Sequence, residues 1–314
     1  MQIIFTSTAF LVALICAALM GFAIQRGSIC TVAALEELVV NRRATRLAAI
    51  GESAVWVGGC LLVSQLLGLN VPSVAGYSAS GWTVAGGLLL GIGAFVNRGC
   101  AFGAVARIGS GEWSYLMTSV GFFAGSLAAV ALPFSDALVV TDQVHVGRGL
   151  VFWLVIFALF ALFRLTRAAQ GIRDAKPSAH AWSPHLATTM IGLAFVSLFL
   201  AVGSWSYTTA IAELANGMSR DVIARLVLFL AVLGGALLGG QTSGNLSTGM
   251  PSVAALFRRF TGGALMGVGG ALIPGSNDEL ILIGLPLLQP HAWIAFGVMC
   301  LTIFAAVKLQ TLRR

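Results

Sequence analysis

The sequence predicts an all-α polytopic membrane protein of about nine transmembrane helices, built as an inverted 4+1+4 repeat whose broken helices and re-entrant loops meet near the midplane. Composition supplies the first ground: the chain is 58% hydrophobic and 9% charged, with a mean hydropathy of +0.94, outside the range of soluble domains. Length of apolar runs is the second, since a membrane crossing needs about 20 such residues. The third is internal repetition at one fixed offset of 176 residues.

The apolar stretches fall at 4–24, 47–69, 83–97, 114–134, 149–165, 186–203, 222–241, 261–274 and 291–309. The third and eighth are short for a full crossing. The first 24 residues carry no Lys or Arg, and Ala13-Leu14-Ile15-Cys16 is a poor lipoprotein cleavage site, so the first stretch is expected to be a retained helix and not a signal peptide.

The repeat is read from four segments in one register. Gly86–Gly93 returns as Gly262–Gly269, Gly58-Gly59 as Gly234-Gly235, Ala34–Leu38 as Ala210–Leu214, and Gly121 as Gly297. Helices one to four then form a first copy (residues 1–148), and helices six to nine a second (179–314). Residues 149–178 hold the fifth helix and the start of a polar linker at 165–185. Equivalent helices are five crossings apart, an odd number, so the copies have opposite topology by parity alone.

Charge sets the orientation, because Lys and Arg collect in cytoplasmic loops. Arg42, Arg43 and Arg46 follow the first helix, Arg164, Arg167, Arg173 and Lys176 the fifth, Arg258 and Arg259 the seventh, and Lys308, Arg313 and Arg314 the ninth. The loops at 70–82 and 135–147 carry neither Lys nor Arg, and the second holds Asp136 and Asp142. Only Arg148 and Arg220, both near helix starts, depart from an N-terminus outside and a C-terminus in the cytoplasm, across a cell (inner) membrane. The net charge of +7 is spread over separate short loops, so it is an orientation signal and not a nucleic-acid footprint.

Inverted repeats place their sites where helices break and expose their ends to a polar cavity. The candidate breaks are Arg26–Thr31 with its mate Val202–Tyr207, and Asn97–Gly103 with its mate Ile273–Glu279. Their focal residues are Cys30, Cys100, Ser206 and Ser276. Thiols, hydroxyls and backbone N–H groups at helix breaks can hydrogen-bond a small anion without a fixed charge that traps it. Arg26 and Arg98 would draw the anion in, Gly99 permits the loop, and a soft thiol suits a sulfur-bearing ligand. A packing role for the two cysteines is the plain alternative; their matched positions favour function.

Cys16, Cys60 and Cys300 lie in apolar helices and are expected to pack. There is no CxxC, and His145, His180, His185 and His291 lie in connections or at a helix start, so neither a disulfide framework, a metal site nor a cofactor is expected. The glycine runs provide small-xxx-small helix contacts. Glu36, Glu37 and Glu213 read as solvated faces of short helices. Glu52, near the start of the second helix, calls for a function or a partner, with Arg46 or a water-lined edge the candidates.

The run Gly21–Cys30, followed by a glycine-rich helix and Asn97-Arg98-Gly99-Cys100-Ala101-Phe102-Gly103, resembles the YeeE/YedE sulfur-transport family over nearly the whole chain. The resemblance implies thiosulfate uptake, with the anion relayed between cysteine thiols by S–H hydrogen bonds, and Cys30 and Cys100 as two of those cysteines. A third family cysteine is Ser276 here, which leaves other small sulfur anions open as substrate. Asp278 and Glu279 just beyond would oppose a dianion unless they face water or cap the next helix. The partners expected are a small sulfur-containing anion, the lipid bilayer and a small cytoplasmic sulfur-carrier protein. The alternative is a membrane sulfurtransferase or sulfur-relay partner that holds cysteine persulfides, although no general base or soluble catalytic domain is evident for one. No nucleotide-binding motif is present, so energy coupling is not read from the sequence.

Overall fold

The computed structural model describes residues 8–131, 140–141, 150–174, 182–217, 222–244, 246–247 and 249–313. Asp136, Asp142, His145, Arg148, Lys176, His180, Arg220, Arg314 and the expected boundaries between the repeats lie outside the described residues. The described residues are mostly helical: α1 Thr8–Gly27, α2 Thr31–Asn41, α3 Thr45–Leu66, α4 Gly81–Asn97, α5 Ala101–Gly109, α6 Leu116–Val130, α7 Leu150–Asp174, α8 Pro184–Val202, α9 Tyr207–Asn216, α10 Val222–Ser243, α11 Val253–Leu272, α12 Asn277–Glu279 and α13 Pro290–Leu312. A wide turn, Leu280–Gly284, continues α12. The extended pieces described are Gly76–Tyr77 and Val140–Thr141, paired antiparallel.

Among the described residues, seven helical segments are long and apolar enough to cross a membrane: Thr8–Asn41, Thr45–Leu66, Gly81–Gly109, Trp113–Val130, Pro184–Asn216, Val222–Ser243 and Pro290–Leu312. Three of these are pairs of helices joined at a break. The fold is that of a polytopic membrane protein. Its outer surface carries Leu159, Leu230 and Leu301, each more than 60% exposed, as hydrocarbon solvent allows.

The fifth and eighth apolar stretches, α7 and α11, are helices outside that set of seven. α11 begins eight residues before the stretch read from sequence, because Ser252 caps it by accepting from Ala255 N at 3.2 Å. Arg258 and Arg259 therefore lie in the helix and not in a loop. Arg259 is 6% exposed.

Packing joins elements far apart in sequence. α1 packs on α8 and α10, α3 on α8, α4 on α11 and α13, and α6 on α11. The short helices insert between these: α2 against α13, α9 against α6, α5 against α10, and the 280–284 turn against α3. α4 and α11 run antiparallel and touch at glycine. A Cβ on Gly93 would stand 2.7 Å from the Gly262 carbonyl oxygen, and one on Gly86 2.7 Å from that of Gly269. Only glycine admits so close a backbone approach, and such approach is what drives helix association in lipid.

Candidate functional site

The four broken helices define the site. The chain leaves helical geometry at 28–30, 98–100, 203–206 and 273–276. The first two breaks close alike, with Ser28 (φ 47°) and Arg98 (φ 55°) in the left-handed region. Ile29 N donates to Ile24 O at 3.1 Å and Gly99 N to Ala94 O at 3.0 Å, which satisfies the last carbonyls of α1 and α4. At the third break Gly203 (φ 87°) donates to Phe199 O at 2.9 Å, and at the fourth Gly275 (φ 146°) donates to Gly270 O at 3.0 Å.

The residue that then restarts the helix is Cys30, Cys100, Ser206 or Ser276, each extended and each an N-cap. Their carbonyls accept from Ala34, Ala104, Ala210 and Leu280 at 2.9, 2.9, 3.0 and 2.9 Å. Two thiols and two hydroxyls thus stand at helix N-termini, where unpaired N–H groups and the positive end of the dipole favour an electron-rich ligand.

Cys30 and Cys100 meet. Their sulfurs lie 3.8 Å apart, within S–H hydrogen-bond range, and Thr31 N donates to Cys100 Sγ at 3.2 Å. The pair is buried. Gly103 makes the contact possible: a Cβ there would fall 2.5 Å from Cys30 Sγ. Gly103 belongs to the motif that drew attention to Cys100, but its steric role was not legible without the fold.

A polar frame holds the Cys100 loop. Asn97 Nδ2 donates to Gly99 O at 2.7 Å and Thr118 Oγ1 donates to Asn97 Oδ1 at 2.8 Å. Arg259 donates to the Asn97 carbonyl and its guanidinium lies 3.9 Å over the Tyr115 ring. Tyr115 OH donates to Arg98 O at 3.2 Å. Ala101 N donates to Asn277 Oδ1 at 3.1 Å, which ties the α4–α5 break to the α11–α12 break. Gly99 sits against Tyr115, where a Cβ would come within 3.3 Å of the ring.

The two arginines take different places. Arg26 NH2 donates to Thr242 Oγ1 at 3.0 Å and its guanidinium lies over Phe22. Arg98 is exposed. Ser206 and Ser276 are both buried, and the Ser276 hydroxyl has no hydrogen-bond partner among the described residues. Asp278 and Glu279 neither stay in water nor simply cap a helix. Asp278 accepts from the Thr208 hydroxyl and, at 3.3 Å, from Thr208 N, while Glu279 accepts from Thr209 Oγ1 at 2.6 Å. Glu279 also lines a cavity of about 280 Å³ with Tyr77, Ser204, Thr209, Gln289 and His291.

Cys16, Cys60 and Cys300 are half-buried within α1, α3 and α13, and Cys16 has the Ser197 hydroxyl as a neighbour. Glu52 is paired, though with Arg164 and with His185 Nδ1 at 3.0 Å; Arg46 is occupied by Glu37 at 3.3 Å. Glu213 pairs with Arg225 at 2.8 Å. Among the described residues no group of His, Cys, Asp and Glu could hold a metal ion.

Broken helices in a polytopic bundle, with hydrogen-bonding side chains at the breaks, are the architecture of a transport protein. The chain belongs to the sulphur-transport family, whose model matches residues 26–305. It is 24% identical over 334 residues to the thiosulfate transporter TsuA of Escherichia coli (strain K12), a match that covers 96% of this chain and 94% of that protein. The chain is thus a multi-pass membrane transporter of a sulfur-containing anion.

Proposed function

We propose that the anion is thiosulfate and that it passes the Cys100–Cys30 pair, relayed by S–H and N–H donors, with Ser206 and Ser276 the hydroxyl steps of the same path. The observation that carries this is the buried thiol pair at two helix N-termini. A thiol is a weak donor that binds a sulfur anion without holding it, and a conducting site must release what it binds. Arg98, exposed beside this loop, and Arg26 raise the local anion concentration. The chain is similar along almost its full length to a thiosulfate transporter, which favours thiosulfate over other sulfur anions. Ser276 offers a harder hydroxyl where the resemblance expects a thiol, so selectivity is the property in which this chain differs.

The path lies between two inverted copies, 1–148 and 179–314, in a nine-helix bundle with residues 149–178 as connector. What supports this is a pairing rule: the main packing contacts between helices have mates under the 176-residue offset. The α1–α10 contact answers to α8–α3, α11–α6 to α4–α13, α2–α13 to α9–α6, and α5–α10 to the 280–284 turn on α3. Ala101 and Asn277, bonded to each other, occupy the same position of the two copies. By the Lys and Arg pattern the N-terminus is outside and the C-terminus cytoplasmic, across an inner membrane, where a small sulfur-carrier protein would take the cargo. Growth on thiosulfate as sole sulfur source, in a strain stripped of its own uptake systems, tests the reading. Rescue by this chain and not by Cys100→Ala is expected, and no rescue by the intact chain would overturn it.

A further inference from the structure

The second pair of breaks contains a continuous line of hydrogen-bonding oxygens of which anion passage claims only Ser206. It begins at Glu279, on the wall of the 280 Å³ cavity, whose carboxylate accepts from Thr209 Oγ1 at 2.6 Å. Thr209 Oγ1 lies 2.8 Å from Ser206 Oγ, and Ser206 Oγ lies 3.3 Å from Thr208 Oγ1. Thr208 donates to Asp278, which is 1% exposed.

Asp278 is where a second cavity meets the line. It has a volume of about 10 Å³ and is lined by Asp278, Ser206, Tyr207, Trp205 and Phe102 among others. That is the lower bound for one water molecule. Trp205 is 1% exposed and its indole Nε1–H, a donor that burial leaves costly to ignore, has no partner among the described residues. Ser276 Oγ and Asn277 Nδ2, beside Asp278 in sequence, are likewise buried and unpartnered. The line therefore has an open cavity at one end and a buried carboxylate at the other.

We infer that this line is a proton path from the 280 Å³ cavity to Asp278, and that anion transport is coupled to proton movement through it. The inference rests on the sulfur-anion reading above. Protonated Glu279 gives its proton to Thr209 Oγ1, Thr209 gives its own to Ser206, Ser206 to Thr208, and Thr208 to Asp278. Each hydroxyl ends with one proton as it began, Glu279 becomes a carboxylate and Asp278 a neutral acid; the cycle closes when Asp278 yields that proton to the water that follows the anion inward and Glu279 takes another from the cavity. A buried carboxylate with no paired cation repels an anion and is itself costly in a membrane. Protonation removes both penalties at once, so the anion crosses when the proton has arrived.

The charged and titratable groups around the line are few. α9 presents Tyr207 and Glu213, α10 Arg225, which Glu213 occupies, and α13 His291, which bonds Tyr77 O at 3.1 Å. α5, packed on α12, contributes Cys100 at its start and Arg107, paired with Glu112 at 2.6 Å, at its far end. Among the described residues, none forms an ion pair with Asp278 or Glu279.

The test uses the full chain in proteoliposomes, with the membrane potential held at zero by potassium and valinomycin and a pH dye trapped inside. Labelled thiosulfate is followed under an inward proton gradient, and exchange against internal thiosulfate is followed without one. The intact chain should accumulate about tenfold more thiosulfate per proton moved per pH unit, and the interior should acidify as thiosulfate enters. Asp278→Asn should keep exchange and lose both the gradient response and the acidification. Should Asp278→Asn fail to insert, Thr208→Val, which should lose the response, and Thr208→Ser, which should keep it, decide the matter. Exchange by the intact chain with no gradient response overturns proton coupling and leaves the sulfur-anion reading standing. A full response in both Asp278→Asn and Thr208→Val overturns the path. Neither exchange nor uptake of thiosulfate by the intact chain overturns the thiosulfate reading, and the coupling with it.

Discussion

The two junctions of this bundle occupy equivalent positions and differ in nearly every side chain that matters. At the first, Cys30 and Cys100 touch, and Val32, Ala33, Phe102 and Gly103 surround them. The 176-residue offset puts Thr208, Thr209, Asp278 and Glu279 at those four places. Gly103 leaves the room that Cys30 Sγ fills, whereas Glu279 carries a side chain at the matching position and bonds Thr209. One backbone scaffold thus carries a soft, uncharged pair of donors at one end and a hard line of hydroxyls and carboxyls at the other. The backbone sets where the helices break, and the residues at and just after each cap set the chemistry there.

Transplanting one junction's residue into the other breaks the comparison most severely. Gly103→Glu should abolish transport, because it displaces the Cys30 thiol and buries an unpaired carboxylate, a loss of about 3 kcal/mol or more. Uptake of labelled thiosulfate by inserted protein, quantified on blots of membranes, measures it. Gly103→Ala is milder. Its Cβ would crowd Cys30 Sγ at 2.5 Å, and overpacking costs about 1–3 kcal/mol, so a loss of about tenfold in uptake with normal insertion is expected. Full activity in Gly103→Ala would show that the position of the Cys30 thiol is unimportant.

Ser276 sharpens the comparison from the other side. Removing one neutral hydrogen bond costs about 0.5–1.5 kcal/mol, so Ser276→Ala should slow uptake about three- to tenfold. Ser276→Cys should preserve uptake or shift preference towards thiosulfate in competition with other sulfur anions. If Ser276→Cys is inactive yet inserted, the position serves other chemistry. The smallest effect belongs to Cys16→Ala, Cys60→Ala and Cys300→Ala, with uptake close to that of the parent, since these half-buried thiols lie within α1, α3 and α13 and away from the breaks. A loss there equal to that at Cys30 or Cys100 would mean that cysteine substitution damages folding and not a path.

The sequence made the class of fold plain, because apolar length and charge asymmetry are local properties of the chain. It also located the breaks, since Gly27, Gly99, Gly203 and Pro274-Gly275 are marks that a helix cannot hide. What it left dark was side-chain partnership across distant elements. Glu52 meets Arg164 and His185 from helices far along the chain, where a neighbouring arginine was the natural expectation. Arg259 was legible as a loop charge and is a buried strut beneath Asn97. Asp278 and Glu279 read as an obstacle to an anion, because the hydroxyls that engage them stand 70 residues earlier.

The thiol pair is the centre of this account, and a chain that keeps only Cys30 and Cys100, with Cys16, Cys60 and Cys300 replaced by Ala, isolates it. Uptake of labelled thiosulfate into proteoliposomes should stay close to that of the parent for this chain. It should fall to the level of empty liposomes when Cys100→Ala is added. Uptake that persists after Cys100→Ala, or that is already lost in the chain with two cysteines, would contradict the claim that these two thiols relay the anion.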